Sequence, residues 1–209
     1  EGLAGRVFYN CGKLTRINYP AGWKTTYDYN SNSTSTYSDS SSSYASPFEG
    51  SAVRSITVPE GVTAIPKHAF RGLTVLREAV LPESLVTVNE YAFYGSGIEG
   101  IRLGQNVKTI KNYAFENCTR LGAAELGNSL TGIGRNAFRN CRGLTAIEIP
   151  EGITVLDEYV FADCAGLGEV WLPETLKTIG SYAFSGCTVL TEVHFPETLK
   201  TICSYAFSG

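Results

Sequence analysis

The strongest constraint on this chain is a recurrence. Ala-Phe returns at Ala69-Phe70, Ala92-Phe93, Ala114-Phe115, Ala137-Phe138, Ala183-Phe184 and Ala206-Phe207, and Val160-Phe161 fills the one gap. From Phe70 to Phe207 the phenylalanines are 23, 22, 23, 23, 23 and 23 residues apart. Phe48 precedes Phe70 by 22 residues, and Phe8 lies 40 further upstream, one period plus 17 extra residues. A period of this length marks a stack of similar units, each too small to bury its apolar side alone.

The rest of the unit moves with the phenylalanine. An apolar residue follows five or six positions later, as in Leu144, Leu167 and Leu190. Two more come at alternate positions, as in Ile147 and Ile149, or Val170 and Leu172. Strict alternation over a short stretch is the pattern of a strand with one buried face. Proline usually comes next (Pro59, Pro82, Pro150, Pro173, Pro196), and with no amide hydrogen it stops the strand. A later apolar pair such as Leu176 and Ile179 then leads back to Ala-Phe. The pair and the phenylalanine enter the same interior from the opposite side. The expectation is a right-handed solenoid with one parallel β-sheet face and short helical or irregular turns opposite. It has about eight turns of 22–23 residues, rising about 4.8 Å per turn to a rod roughly 40 Å long. Residues 1–209 then form a single domain rather than two globular ones.

The unit C-x-x-L-x-x-I-x-L/I-P-E-x-L/I-x-x-I-x-x-x-A-F resembles the BspA-like leucine-rich repeat, also called the Treponema pallidum type. Cys141 to Phe161 and Cys164 to Phe184 follow it nearly position by position. The resemblance implies a secreted or cell-surface protein of a host-associated microbe. It further implies adhesion to protein partners such as host extracellular-matrix or cell-surface proteins.

Composition narrows the classes. With 17 basic and 20 acidic residues the net charge is −3, which argues against nucleic acid or anionic lipid as partner. There is no run of some 18 apolar residues, so no membrane insertion is expected in this segment. The chain holds no methionine and starts at Glu1, which reads as a processed segment without its targeting peptide. It stops just after an Ala-Phe without a polar capping unit. The expectation there is either further chain or end-to-end self-association, with an unpaired strand edge near Val193 and Phe195.

Residues 30–46 interrupt the second unit with a serine-rich insertion, read as an exposed loop. Asn32-Ser33-Thr34 within it, and Asn117-Cys118-Thr119 elsewhere, fit a glycosylation sequon that matters only in a eukaryotic secretory pathway. Cys118, Cys141, Cys164 and Cys187 are spaced by 23, with Cys11 at the same place in the first unit. They read as side-by-side buried free thiols; bridges would require them to turn toward each other. Cys203 stands off this column and is expected to be the most exposed. No close C-x-x-C spacing supports zinc, and no metal or cofactor is expected.

No catalytic constellation is present. His68 and His194 are the only histidines and sit about five and a half turns, roughly 25 Å, apart. There is no P-loop, no dinucleotide fingerprint and no His-Glu-x-x-His. The chain therefore reads as a non-enzymatic binding module. The outward strand columns place Glu125, Glu148, Glu169 and Glu192 around Trp171 and His194, and an exposed tryptophan among polar neighbours is the leading site for a protein partner. A second column, His68, Tyr91, Tyr113, Asn136, Tyr159, Tyr182 and Tyr205, reads as an aromatic ladder covering the core edge, or else a platform for carbohydrate. The remaining alternative is a structural spacer that carries another, possibly catalytic, domain.

Overall fold

The computed structural model describes residues 2–4, 7–20, 22–23, 25–27 and 46–209, with side chains for 7–20, 22–23 and 46–209. Most of the serine-rich insertion and its sequon at Asn32 lie outside the described residues. Ser46, placed at the end of that insertion, is instead buried and belongs to the repeat: its hydroxyl donates to the Ala69 carbonyl (2.8 Å) and accepts from the Phe48 amide (3.2 Å).

The described chain winds as a parallel β-coil without helix. Its strands are β1 (Gly2–Ala4), β2 (Arg16–Asn18), β3 (Thr25–Tyr27), β4 (Ser55–Thr57), β5 (Ala64–Ile65), β6 (Glu78–Val80), β7 (Thr87–Val88), β8 (Gly100–Arg102), β9 (Thr109–Ile110), β10 (Ala123–Glu125), β11 (Gly132–Ile133), β12 (Ala146–Glu148), β13 (Val155–Leu156), β14 (Glu169–Trp171), β15 (Thr178–Ile179) and β16 (Thr201–Ile202). They fall into two ladders. Apart from the separate pair β1-β3, the three-residue strands stack on one side, and two-residue strands made by the later apolar pair stack on another. Pairing is parallel and one repeat apart, as in Ile147 opposite Val170 and Leu156 opposite Ile179.

Three expectations are corrected here. Six turns, β4–β5 through β14–β15, carry both strands, rather than about eight; the turns at either end keep only part of the pattern. The face opposite the wide ladder holds a second strand ladder and irregular turns, with no helical segment. The wide ladder is not one sheet but three short ones, β2-β4-β6, β8-β10 and β12-β14. The breaks flank the strands carrying Gly100, Ala123 and Ala124, residues with weak strand preference.

One hydrophobic cluster runs along the coil from Tyr19 to Ala206. Its axis is a column of phenylalanines. Phe93, Phe115, Phe138, Phe161 and Phe184 stack face to face at 5.1–5.5 Å with interplanar angles of 8–13°. Trp23 packs at the head of this column, edge-on to Tyr19 and tilted on Phe48.

The corner around each phenylalanine is unusual. From Phe70 to Phe184 the residue two before it and the residue two after it both have positive φ. Tyr91, Tyr113, Tyr159, Tyr182 and Tyr205 lie at 57–61°, and Asn117, Asn140 and Asp163 at 59–63°. Gly72 and Gly95 fill the second position without strain, whereas the tyrosines adopt a conformation that L-residues normally avoid. This double reversal aims the amides along the coil. The amides of Tyr113, Phe115 and Asn117 donate to the carbonyls of Arg135, Ala137 and Arg139 in the next turn, at 2.8–3.0 Å.

The residue after the strand-ending proline or glycine closes the loop above it. The Glu60 carboxylate accepts the amides of Glu83 (2.9 Å) and Ser84 (3.2 Å), Gln105 accepts that of Asn128, and Glu151 that of Glu174. These side chains satisfy loop amides that would otherwise face only water.

Four of the five column cysteines, Cys118, Cys141, Cys164 and Cys187, are buried as expected, Cys11 is exposed, and all six cysteines are free thiols. Each slot thiol donates to a phenylalanine carbonyl of the preceding turn: Cys118 to Phe93 (3.0 Å), Cys141 to Phe115 (3.2 Å), Cys164 to Phe138 (3.1 Å) and Cys187 to Phe161 (3.3 Å). Ser51 and Ser96 occupy the same slot in earlier turns, and the Ser96 hydroxyl lies 3.4 Å from the Cys118 sulfur. Burial pushes the thiols of Cys118 and Cys187 up to about 12, and Cys141 and Cys164 higher as well. The exposed cysteine is Cys11, not Cys203, which is half-buried because its amide is tied to the Ile179 carbonyl.

Candidate functional site

The wide ladder presents alternate residues outward. In β14, Val170 is buried while Glu169 and Trp171 face solvent, and Trp171 is 52% exposed. Register sets Glu148 directly beside Trp171 and Ala146 beside Glu169. Neither Glu148 nor Glu169 takes part in an ion pair among the described residues. Glu125 is different: it pairs with Arg102 across β8-β10 through two contacts, at 2.7 and 3.1 Å. Glu192 pairs with His194 at 3.2 Å.

The expected strand around Val193 and Phe195 is absent. Residues 191–195 form no strand, and no backbone hydrogen bond joins them to β14. Phe195 is half-exposed and meets Phe207 edge-on at 5.7 Å. The wide ladder therefore ends at β14, and a groove of about 630 Å³ opens along it. Glu169 and Trp171 line it from one turn, and Thr191, Glu192 and His194 from the next. Of the six residues singled out from the sequence, four line this groove, Glu148 stands beside its tryptophan, and Glu125 is committed elsewhere.

The aromatic column lies at the corners. His68 stacks on Tyr91 (5.0 Å), Tyr91 on Tyr113 (4.7 Å), Tyr159 on Tyr182 (4.7 Å) and Tyr182 on Tyr205 (5.0 Å), with interplanar angles of 2–15°. Buried Asn136 interrupts the stack, and the guanidinium groups of Arg135 and Arg139 sit over Tyr159 at 5.4 and 5.7 Å. A sugar docks on aromatic faces, and here most of those faces are used by neighbouring rings and guanidinium groups, with Tyr205 at the end of the column the exception at 63% exposed. The stack also explains how tyrosine holds positive φ: ring contact offsets the backbone cost.

Two arginines near this column are paired with carboxylates. Arg135 meets Glu158 (3.2 Å), and Arg139 meets Asp163 (3.2 Å) and Glu116 (3.9 Å). Arg142 donates to the Asn140 side chain, which in turn donates to Asn117. The second sequon is thus built into the fold: Asn117 accepts from Asn140 at 2.6 Å and is followed by buried Cys118.

His68 is the one buried histidine. Its Nδ1 lies 3.5 Å from the Arg71 guanidinium, and burial, with Arg71 and Lys67 nearby, pushes its imidazole down to about 3. The unfolded value is near 6.5. Above pH 6.5 neither state binds the proton. Between 6.5 and 3 the unfolded chain takes it and the native chain refuses it, so stability falls as pH falls. Urea unfolding should show His68→Tyr losing about 3 kcal/mol less than the parent between pH 7 and pH 4. Parallel pH profiles for the two proteins would refute this.

The geometry defines a class: a coil of short parallel strands whose turns are sealed by leucine and phenylalanine layers, a leucine-rich-repeat solenoid. The family described as BspA type leucine rich repeat region matches residues 41–168 and 156–209, in six copies. The chain belongs to this family. Among solved structures, a leucine-rich repeat protein from Bacteroides ovatus superposes with a TM-score of 0.77 at 24% identity, over 96% of this chain and 48% of that one. The T. pallidum leucine-rich repeat protein gives 0.63 at 29% identity, over 71% of this chain and 74% of its own. One from Eubacterium ventriosum gives 0.52 at 20%, over 99% and 80%. The chain spans about half the length of the Bacteroides ovatus protein. No curated protein matches the chain significantly. The matching family is a repeat family, not an enzyme family, and among the described residues no helix is long and apolar enough to cross a membrane.

Proposed function

We propose that this segment is a non-catalytic protein-binding module of a secreted or cell-surface protein, and that it docks its partner on the outer face of the wide ladder around Trp171. The observation that carries this reading is the half-exposed indole on the wall of a 630 Å³ groove. Tryptophan is costly to leave in water and dominates binding energy when a partner covers it. The repeat scaffold supports the same reading, because its buried layers are fixed while its outward columns vary from turn to turn.

The test is adherence of the purified chain to immobilised extracellular-matrix and cell-surface proteins. Trp171→Ala is expected to weaken adherence at least tenfold, the loss typical of a central interface anchor, with an unchanged melting temperature. Undiminished adherence by the folded variant would overturn this site. Failure of the parent chain to adhere to any partner would favour the spacer role instead.

A further inference from the structure

The groove also specifies the chemistry of what enters it. Trp171 offers an open π face, and the charges around it are of one sign. Glu148 lies beside it in register, Glu169 is two residues before it on the same face, and Glu192 stands on the facing wall. Among the described residues neither Glu148 nor Glu169 is in an ion pair, whereas Arg102 of the same face is held by Glu125. No lysine or arginine is among the residues that line the groove, and the His194 imidazole lies 3.2 Å from the Glu192 carboxylate. Of the two lining glycines, Gly166 is packed against the Arg142 carbonyl, whereas a side chain at Gly168 would meet only ordinary contacts.

An indole flanked by unpaired carboxylates is complementary to a cation. The ring quadrupole attracts positive charge over its face, and a carboxylate within reach completes the contact. Arginine fits this pairing better than lysine: its planar guanidinium stacks on an indole while its N–H fork meets a carboxylate edge. Resting on the docking reading above, we propose that the Trp171 groove binds an arginine side chain presented by a basic segment of the partner protein. Glu148 and Glu169 hold the guanidinium against the indole, and Glu192 draws the flanking basic residues to the opposite wall.

The probe is a blocked pentapeptide with two arginines separated by glycine, titrated into the whole chain while the indole N–H resonances are followed by NMR. The two tryptophans give two signals, and Trp171→Phe assigns them. The Trp171 signal is expected to shift saturably with the arginine peptide and several-fold more weakly with its lysine analogue. The citrulline analogue, which keeps the shape but not the charge, should bind on the order of tenfold more weakly. The double variant Glu148→Gln/Glu169→Gln should weaken the arginine peptide by a similar factor and leave the melting temperature unchanged. Equal binding of the citrulline analogue, or undiminished binding by the double variant, overturns the inference. So does an unmoved Trp171 signal with every peptide. If Trp171→Ala abolishes adherence while the peptides leave the signal unmoved, the cation inference falls and the docking site stands. If adherence is indifferent to Trp171, the docking reading itself falls.

Discussion

Replacing Phe138 with alanine is expected to remove about 3–5 kcal/mol of stability, a large share of what a domain of this size possesses. Phe138 is fully buried and lies between Phe115 at 5.1 Å and Phe161 at 5.5 Å, nearly parallel to both. Its removal deletes a whole side chain from a packed layer and breaks two stacking contacts. The loss is felt more widely than in a globular core, because each turn of a solenoid touches only its neighbours. The turns before and after Phe138 are then coupled through a weakened layer, so urea unfolding should shift to lower midpoint and separate into two phases. Phe207→Ala is the control: Phe207 is 37% exposed and stacks only on Phe184 within this column, so about 1 kcal/mol is expected. Equal midpoints for the two variants would show that the phenylalanine column does not bear the coil's stability.

The second large effect concerns thiol chemistry. At pH 8 a disulfide reagent should modify about two thiols of the native chain quickly, Cys11 and Cys203, and the other four only after denaturation. The attacking species is the thiolate. Raising a thiol from its usual 8.5 to about 12, as burial does for Cys118 and Cys187, lowers the thiolate fraction at pH 8 by about a thousandfold. Exclusion of the reagent from a sealed layer adds to this. Fewer than six thiols after denaturation without reductant would mean that bridges exist. More than two fast thiols in the native state would mean that the slot opens on its own. The slot also accepts Ser51, Leu73 and Ser96, so what it demands is a side chain that can be buried, most often one able to donate to the carbonyl below.

Much of this fold could be read from residue spacing, and the reason is physical. A buried layer in each turn demands one residue type at one place, so Phe138, Leu144 and Ile147 reappear as Phe161, Leu167 and Val170. Parallel in-register pairing then makes columns of residues real neighbours, which is why Trp171, Glu148 and Glu169 could be placed together without coordinates. The second ladder was not legible: strands such as Thr178–Ile179 are two residues long and too short to show alternation. Positive φ at Tyr91 and Tyr113 runs against the preference of tyrosine, and only the stacked neighbours in adjacent turns offset it. A partial signal existed at the other reversed position, where Gly72, Gly95, Asn117 and Asn140 are the residues that tolerate it. The groove was hidden for a different reason. It exists because residues 191–195 fail to pair, although Val193 and Phe195 carry the same alternation as paired strands. The recruitment of Glu125 by Arg102 likewise depends on side-chain reach, not on spacing.

The corner amides have a consequence for the coil's electrical symmetry. The amide of His68 donates to Glu90, that of Tyr91 to Asn112, that of Tyr113 to Arg135, that of Asn136 to Glu158, that of Tyr159 to Ser181 and that of Tyr182 to Ser204. Each acceptor carbonyl shares its peptide group with the next donor, so the bonds form an unbroken cable, and two similar cables run through the phenylalanine and the residue two after it. Peptide dipoles aligned in series polarise one another, as they do in an α-helix. Here the N–H ends point toward the C-terminal side, so the partial positive charge accumulates at the opposite terminus from that of a helix. Any cross-section through this corner therefore shows three donors on one side and three acceptors on the other. Two such sections fit together in one orientation only.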